Sequence, residues 1–151
     1  MVNIEVKTEE LQRVLSNVSK KIEDLSPIFN LFVNEYREIV AANFESRGQI
    51  MEGKRWTPLT KQYLAWKQKN FPGKQMGVLT GSMYNAALNF KAESQPKDLI
   101  MTVTGEDYYY YFQERFTNPR AYFNKKDGTL PNIANRILLE LFEREIQKAA
   151  E

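Results

Sequence analysis

The chain has 151 residues, 42% hydrophobic and 26% charged; these values exclude wholesale disorder and leave room for a single domain, 1–151, with a real core. Lysine and arginine total 21 against 19 aspartate and glutamate, a net charge of +2, too small for the field of a protein dedicated to coating DNA. Cysteine and histidine are both absent, which removes disulfides, thiolate metal sites and the commonest general base and metal ligand.

Enzyme readings lose most of their ground at this point, and no cofactor or metal is expected. The N-terminus, MVNIEVKTEELQRV, lacks the basic start and apolar run of a signal peptide, and no stretch approaches the roughly 18 consecutive apolar residues of a membrane span. The expected location is therefore the cytoplasm, unless the protein leaves as part of an assembly.

In chain order, Val2 to Val6 alternates apolar and polar residues and predicts a short strand. From Thr8 the period changes to that of a helix. Glu9 and Glu10 sit in its first turn, and Leu11, Val14, Leu15, Val18, Ile22 and Leu25 form one stripe, with Lys20, Lys21 and Glu23 facing water. Ser26-Pro27 starts a second helix, serine as N-cap and proline at the first helical position. Its apolar face is Leu31, Phe32, Tyr36, Ile39, Val40 and Phe44, and it ends before Gly48.

Residues 45–59 contain Gly48, Gly53 and Pro58 among mixed charges and read as a long surface loop. Thr60 caps a short helix, Lys61 to Lys69, which Phe71-Pro72-Gly73 ends. Thr80-Gly81-Ser82-Met83-Tyr84 reads as a capped turn or short helix. From Leu88 the period becomes two: Leu88, Phe90 and Ala92, then Leu99, Met101 and Val103 beyond Gln95-Pro96-Lys97, predict an antiparallel hairpin. Tyr108 to Phe112 supplies a third strand or a short helix. Pro131 opens a last helix with the stripe Ile133, Ile137, Leu138, Leu141, Phe142 and Ile146. The predicted class is α+β: two N-terminal helices and a C-terminal helix packed on a small antiparallel sheet, with the long loop around 45–59.

Four features invite a chemical reading. Lys54, Arg55, Lys61, Lys67 and Lys69 interleave with Trp56 and Trp66, as in proteins that stack nucleic-acid bases. The competing reading packs both tryptophans inward and leaves the lysines to solvate the outer face. Glu143 with Glu145, and Glu106 with Asp107, are carboxylate pairs, but adjacent acids point in different directions and helical glutamates usually face water. Gly53-Lys54 and Gly73-Lys74 lack the first glycine of a phosphate-binding loop. Finally, Tyr108 to Phe112 is five consecutive aromatic residues. In a strand they must face both sides, so either other elements cover both faces or Tyr109 and Tyr111 form a subunit contact.

Taken in order, Phe44 with Gly48, then Gly53 to Thr60 (GKRWTPLT), Tyr63 to Lys67 (YLAWK), Val78 to Met83 (VLTGSM), Tyr110-Tyr111-Phe112-Gln113 and Pro119 to Phe123 (PRAYF) together resemble the phage virion morphogenesis family, also described as phage tail completion proteins. The resemblance covers nearly the whole chain. It departs at Phe112, where the family often has histidine, and at Ala121, which interrupts the usual Arg-Pro-Phe pattern.

The resemblance implies a non-enzymatic structural protein that completes the tail or joins head to tail. It also implies a homo-oligomeric ring in contact with other tail or neck proteins, located in the host cytoplasm during assembly and then in the virion. Ring interfaces are heterologous, each burying one patch against a different one. Trp56, Pro58 and Leu59 then pin the long loop against the domain, Trp66 completes that packing, and Tyr109, Tyr111, Arg120 and Phe123 are the further interface candidates. A nucleic-acid-binding module using residues 54–69 is the alternative, to which the net charge lends no support.

Overall fold

The computed structural model describes residues 8–74, 76, 78, 81–104, 120–125 and 129–151. The predicted strand at Val2 to Val6 and the tyrosine run with Tyr109 and Tyr111 lie outside the described residues.

Among the described residues, six helices and one hairpin follow in order: α1 (Thr8–Glu23), α2 (Ser26–Glu45), α3 (Gln49–Glu52), α4 (Lys61–Asn70), α5 (Ser82–Leu88), β1 (Lys91–Ser94), β2 (Leu99–Thr102) and α6 (Asn132–Ala150). The class is α+β, mostly helical, as the periodicities predict. None of the described helices is long and apolar enough to cross a membrane.

The core is organised along α2. Ile28, Phe32, Val33, Tyr36, Ile39, Val40 and Phe44 are all buried on it, and α6 packs alongside through Ala134 and Leu141. Leu31, predicted on the same face, is instead 39% exposed, because Ile28 and Val33 take the inward positions on either side of Phe32. The start of α2 also differs from expectation. Ser26 is its first residue, and the Asp24 carboxylate accepts the Ser26 N–H at 3.0 Å. The Ser26 side chain first, and this backbone N–H second, hold the Asp24 carboxyl below its ordinary pKa by hydrogen bonding to its charged form.

Packing covers only part of the α1 stripe. Val14, Val18 and Leu25 are half-buried and α1 runs against α6, yet Leu11, Leu15 and Ile22 remain 55%, 58% and 43% exposed. At about 100° per residue these three fall at one edge of a stripe too broad for a single neighbouring helix to cover. Lys21, expected in water, instead turns toward α6 and pairs with Glu145 at 3.4 Å. Glu145 also meets Lys148 at 3.1 Å and Arg144 at 3.8 Å. It is thus the centre of a cation cluster, whereas Glu143 faces water as expected.

The hairpin is antiparallel, with Lys91 opposite Thr102 and Ser94 opposite Leu99. Ala92, Leu99 and Met101 are half-buried while Lys91, Glu93, Ile100 and Thr102 point out, the alternation expected of a one-faced sheet. Its first strand starts at Lys91, since α5 continues through Leu88. The hairpin turn is tied to the α1–α2 junction: Leu25 N–H donates to the Pro96 carbonyl at 2.9 Å, and Lys97 Nζ to the Ile22 carbonyl.

The predicted 45–59 loop is partly ordered into the one-turn helix α3, between left-handed glycines Gly48 (φ 92°) and Gly53 (φ 72°). Gly48 is required twice over. Its backbone is left-handed, and a Cβ there would lie 2.1 Å from Trp56 Nε1. At Gly53 a Cβ would meet nothing within 4 Å.

Gly48→Ala should therefore cost about 2–4 kcal/mol in chemical denaturation, and Gly53→Ala only about 1 kcal/mol from backbone strain; equal costs would show that the indole does not press on Gly48. A second expectation concerns pH. Lys148, first by its hydrogen bond, and then Lys21 hold the Glu145 carboxyl below its ordinary value, so its stabilisation is complete above the unfolded value, about 4.3, and is lost as pH falls through the lower folded value. Glu145→Gln should flatten the acid limb of a thermal-midpoint-against-pH profile; an unchanged limb would assign it to other carboxylates.

Candidate functional site

Trp56 and Phe123, both singled out by sequence, meet around a segment without regular structure, Arg120 to Phe123, that lies on one face of α2. Tyr36 and Asn43 lie seven residues apart on α2, two turns along the same face, and both reach this segment with polar atoms. The Tyr36 hydroxyl donates to the Phe123 carbonyl. Asn43 Nδ2 donates to the Ala121 carbonyl at 2.7 Å and, more weakly, to that of Tyr122 at 3.4 Å. Asn43 Oδ1 accepts the Met51 N–H at 3.1 Å, so the same side chain also fixes α3. Asn43 and Tyr36 are both 0% exposed, and their hydrogen bonds offset the cost of burying polar groups. Burial drives the Tyr36 hydroxyl well above its ordinary pKa.

Adjacent residues of the segment enter two aromatic clusters. Tyr122 stacks on Phe44 at 5.4 Å and meets Trp56 at 4.8 Å, while Trp56 and Tyr84 approach Phe44 edge-on at 5.6 and 5.0 Å. Phe123 packs edge-on against Tyr36 at 5.4 Å and against Phe90 at 5.1 Å. The chain reaches the first cluster through the Trp56 N–H, which donates to the Arg47 carbonyl at 2.6 Å and folds residues 53–56 back over Gly48. Ala121, where the resemblance leads one to expect proline, is fully buried.

Trp56, Arg120 and Phe123 therefore belong to one construction. Leu59 is half-buried and Pro58 is exposed, so proline takes no part in pinning the loop. Trp66 is 46% exposed and Tyr63 41%; Trp66 does not complete the packing around Trp56. It stacks instead on Tyr63 at 5.5 Å and leans on Phe71 at 5.6 Å.

Helix α4 is inverted relative to its expected packing. Thr60 caps it as predicted, accepting the Tyr63 N–H at 3.3 Å, but its one buried residue is Lys67, 4% exposed. Burial first, and the nearby Arg120 guanidinium second, lower the Lys67 pKa. Burial raises the Tyr122 hydroxyl, against the opposing charge and hydrogen bond of Arg120. The other cations of the stretch, Lys54, Arg55, Lys61 and Lys69, are exposed as anticipated.

Sequence reasoning missed Asn43 and the burial of Lys67. Asn43 had a signal: a polar residue inside an apolar helical stripe is either misplaced or hydrogen-bonded. Lys67 had none, since its position depends on how α4 docks. No group of three or more potential metal ligands gathers among the described residues. Comparison of the chain with protein-family models, with curated proteins and with solved structures finds no match.

Asn43→Ala would leave the Met51 N–H and the Ala121 carbonyl without their partner inside the core and should cost about 2–4 kcal/mol in urea unfolding. A loss below about 0.5 kcal/mol, the scale of a surface change, would mean that α3 and the Arg120 segment are held by other contacts.

Proposed function

We propose that this chain is a non-enzymatic structural protein of phage virion morphogenesis, completing the tail or joining head to tail. The observation that supports this reading is the convergence of the landmarks that carry the family resemblance. Phe44, Gly48 and Trp56, and Tyr122 and Phe123 far along the chain, meet in the paired aromatic clusters on α2. Residues so far apart in sequence thus close one core, and each landmark has a packing role in it. The chemistry of that core is packing and backbone capture, which suits a part whose task is to hold a shape.

The working form is a ring of copies in contact with other tail or neck proteins, formed in the host cytoplasm and carried into the particle. Uncovered apolar side chains support such an assembly. Leu11, Leu15 and Ile22 stand in a row on α1, and Leu139, 62% exposed, stands at an apolar groove of about 290 Å³ beside Leu25, Ile28 and Phe142. A heterologous contact buries unlike patches against each other, and a helix edge and a groove are unlike.

Deleting the gene from the phage or prophage that carries it should yield full heads and unattached tails in negative-stain micrographs. Normal infectious particles would overturn the reading.

A further inference from the structure

Helix α4 exposes what helices usually bury. Tyr63, Leu64 and Trp66 are 41%, 42% and 46% exposed, while the lysine between the aromatic positions and the helix end, Lys67, is turned into the protein. The exposed rings are ordered: Tyr63 and Trp66 are stacked with 26° between their planes, and Phe71 extends the ladder beyond Trp66. Lys61 and Lys69 stand exposed at the two ends of the helix, about 12 Å apart along its axis.

The charge distribution is a second, independent observation. From Gly53 to Ala92 the chain carries seven lysines and arginines and not one aspartate or glutamate; the remaining residues carry 14 basic against 19 acidic side chains. The small net charge is thus the sum of a basic central segment and an acidic remainder. Lys54, Arg55, Lys61, Lys69, Lys74 and Lys91 are all exposed, and none forms an ion pair with another described residue.

We propose that the exposed side of α4 binds single-stranded nucleic acid, with unpaired bases stacking on the Tyr63–Trp66 ladder and phosphates held by Lys69, beside Trp66 around the helix, and by Lys61 and the neighbouring cations. An acidic protein surface would use the cations but has no need of ordered ring faces. A duplex would likewise meet the cations while its bases stay stacked on one another, out of reach of the rings. Single strands alone use both features, since every base offers a π-face and every nucleotide a phosphate. The inference stands apart from the virion reading, and a failure in solution binding leaves the deletion phenotype untouched.

The test is fluorescence anisotropy of the full chain with a labelled oligothymidylate of about 20 nucleotides, beside a duplex of the same length, at low and at physiological salt. The expected result is micromolar or tighter binding to the single strand that weakens with salt, and weaker binding to the duplex. Trp66→Ala should reduce the single-strand affinity about five- to 150-fold, the range measured for loss of one stacking platform. The emission of the buried Trp56 in that variant reports whether the core is intact. The double reversal Lys61→Glu/Lys69→Glu, which leaves the rings in place, should weaken binding and lower the salt slope. The proposal is overturned by absence of binding at low salt, by an affinity that Trp66→Ala leaves unchanged in a folded variant, or by equally tight binding of the duplex.

Discussion

Two polar side chains on one helix hold the centre of this protein together. A core made only of aromatic and aliphatic groups could accept the Arg120 to Phe123 segment in several registers, because hydrophobic burial is non-directional. Hydrogen bonds are directional. With Asn43 on the Ala121 and Tyr122 carbonyls and Tyr36 on that of Phe123, one register satisfies the backbone of the segment. A slip by one residue would put Ala121 in the place of Tyr122, or Asn124 in that of Phe123, and leave buried carbonyls unpaired, at about 1–3 kcal/mol each. Because Asn43 Oδ1 also accepts from Met51, the same residue sets the position of α3 and, through the Gly48 turn, the return of Trp56.

The loop after α2 follows from that anchoring. Consecutive left-handed residues, Arg47 at φ 57° and Gly48 at φ 92°, reverse the chain, and the missing Cβ at Gly48 makes the space in which the Trp56 indole lies. A tryptophan over a glycine joins a sharp turn to a large buried area in few residues. Pro58 and Leu59, only a few positions further, already lie outside the core or at its edge. The tightly held part of the GKRWTPLT stretch is Trp56 alone.

Outside the core, the apolar surface left uncovered on α1 and on α4 differs in chemistry. On α1 the uncovered row is aliphatic; on α4 it is aromatic and bordered by cations. These side chains are about half exposed, so a monomer forgoes roughly half of the 1.5–3 kcal/mol that full burial of each aliphatic one contributes. Large uncovered apolar patches on soluble proteins are where partners attach. The aliphatic row matches the requirements of a protein contact, which is driven by apolar burial at its centre, and the aromatic, cationic face those of a nucleic acid.

What was legible in the sequence was local. The starts of α4 and α6, the hairpin and its turn, and the extent of α1 and α2 follow from periods of 3.6 and 2 and from the caps and prolines that bound them. Trp56 could be placed against the domain through the family resemblance, and it is buried. Less could be read where docking decides. Periodicity defines the apolar edge of a helix but not how much of it a neighbour will reach, so the exposure of Leu11, Leu15 and Ile22 was hidden. In α4, aromatic residues and lysines lie on several sides, and no stripe distinguishes inside from outside; only its packing against Arg120 and Tyr122 turned Lys67 inward and Trp66 outward. The sequence by itself determined the elements and the aromatic composition of the core, because these depend on neighbours a few residues away. The tertiary structure alone decided which side chains across some eighty residues of chain, Asn43 and Ala121 among them, would share hydrogen bonds, because that choice is made by the geometry of contact and leaves no period in the sequence.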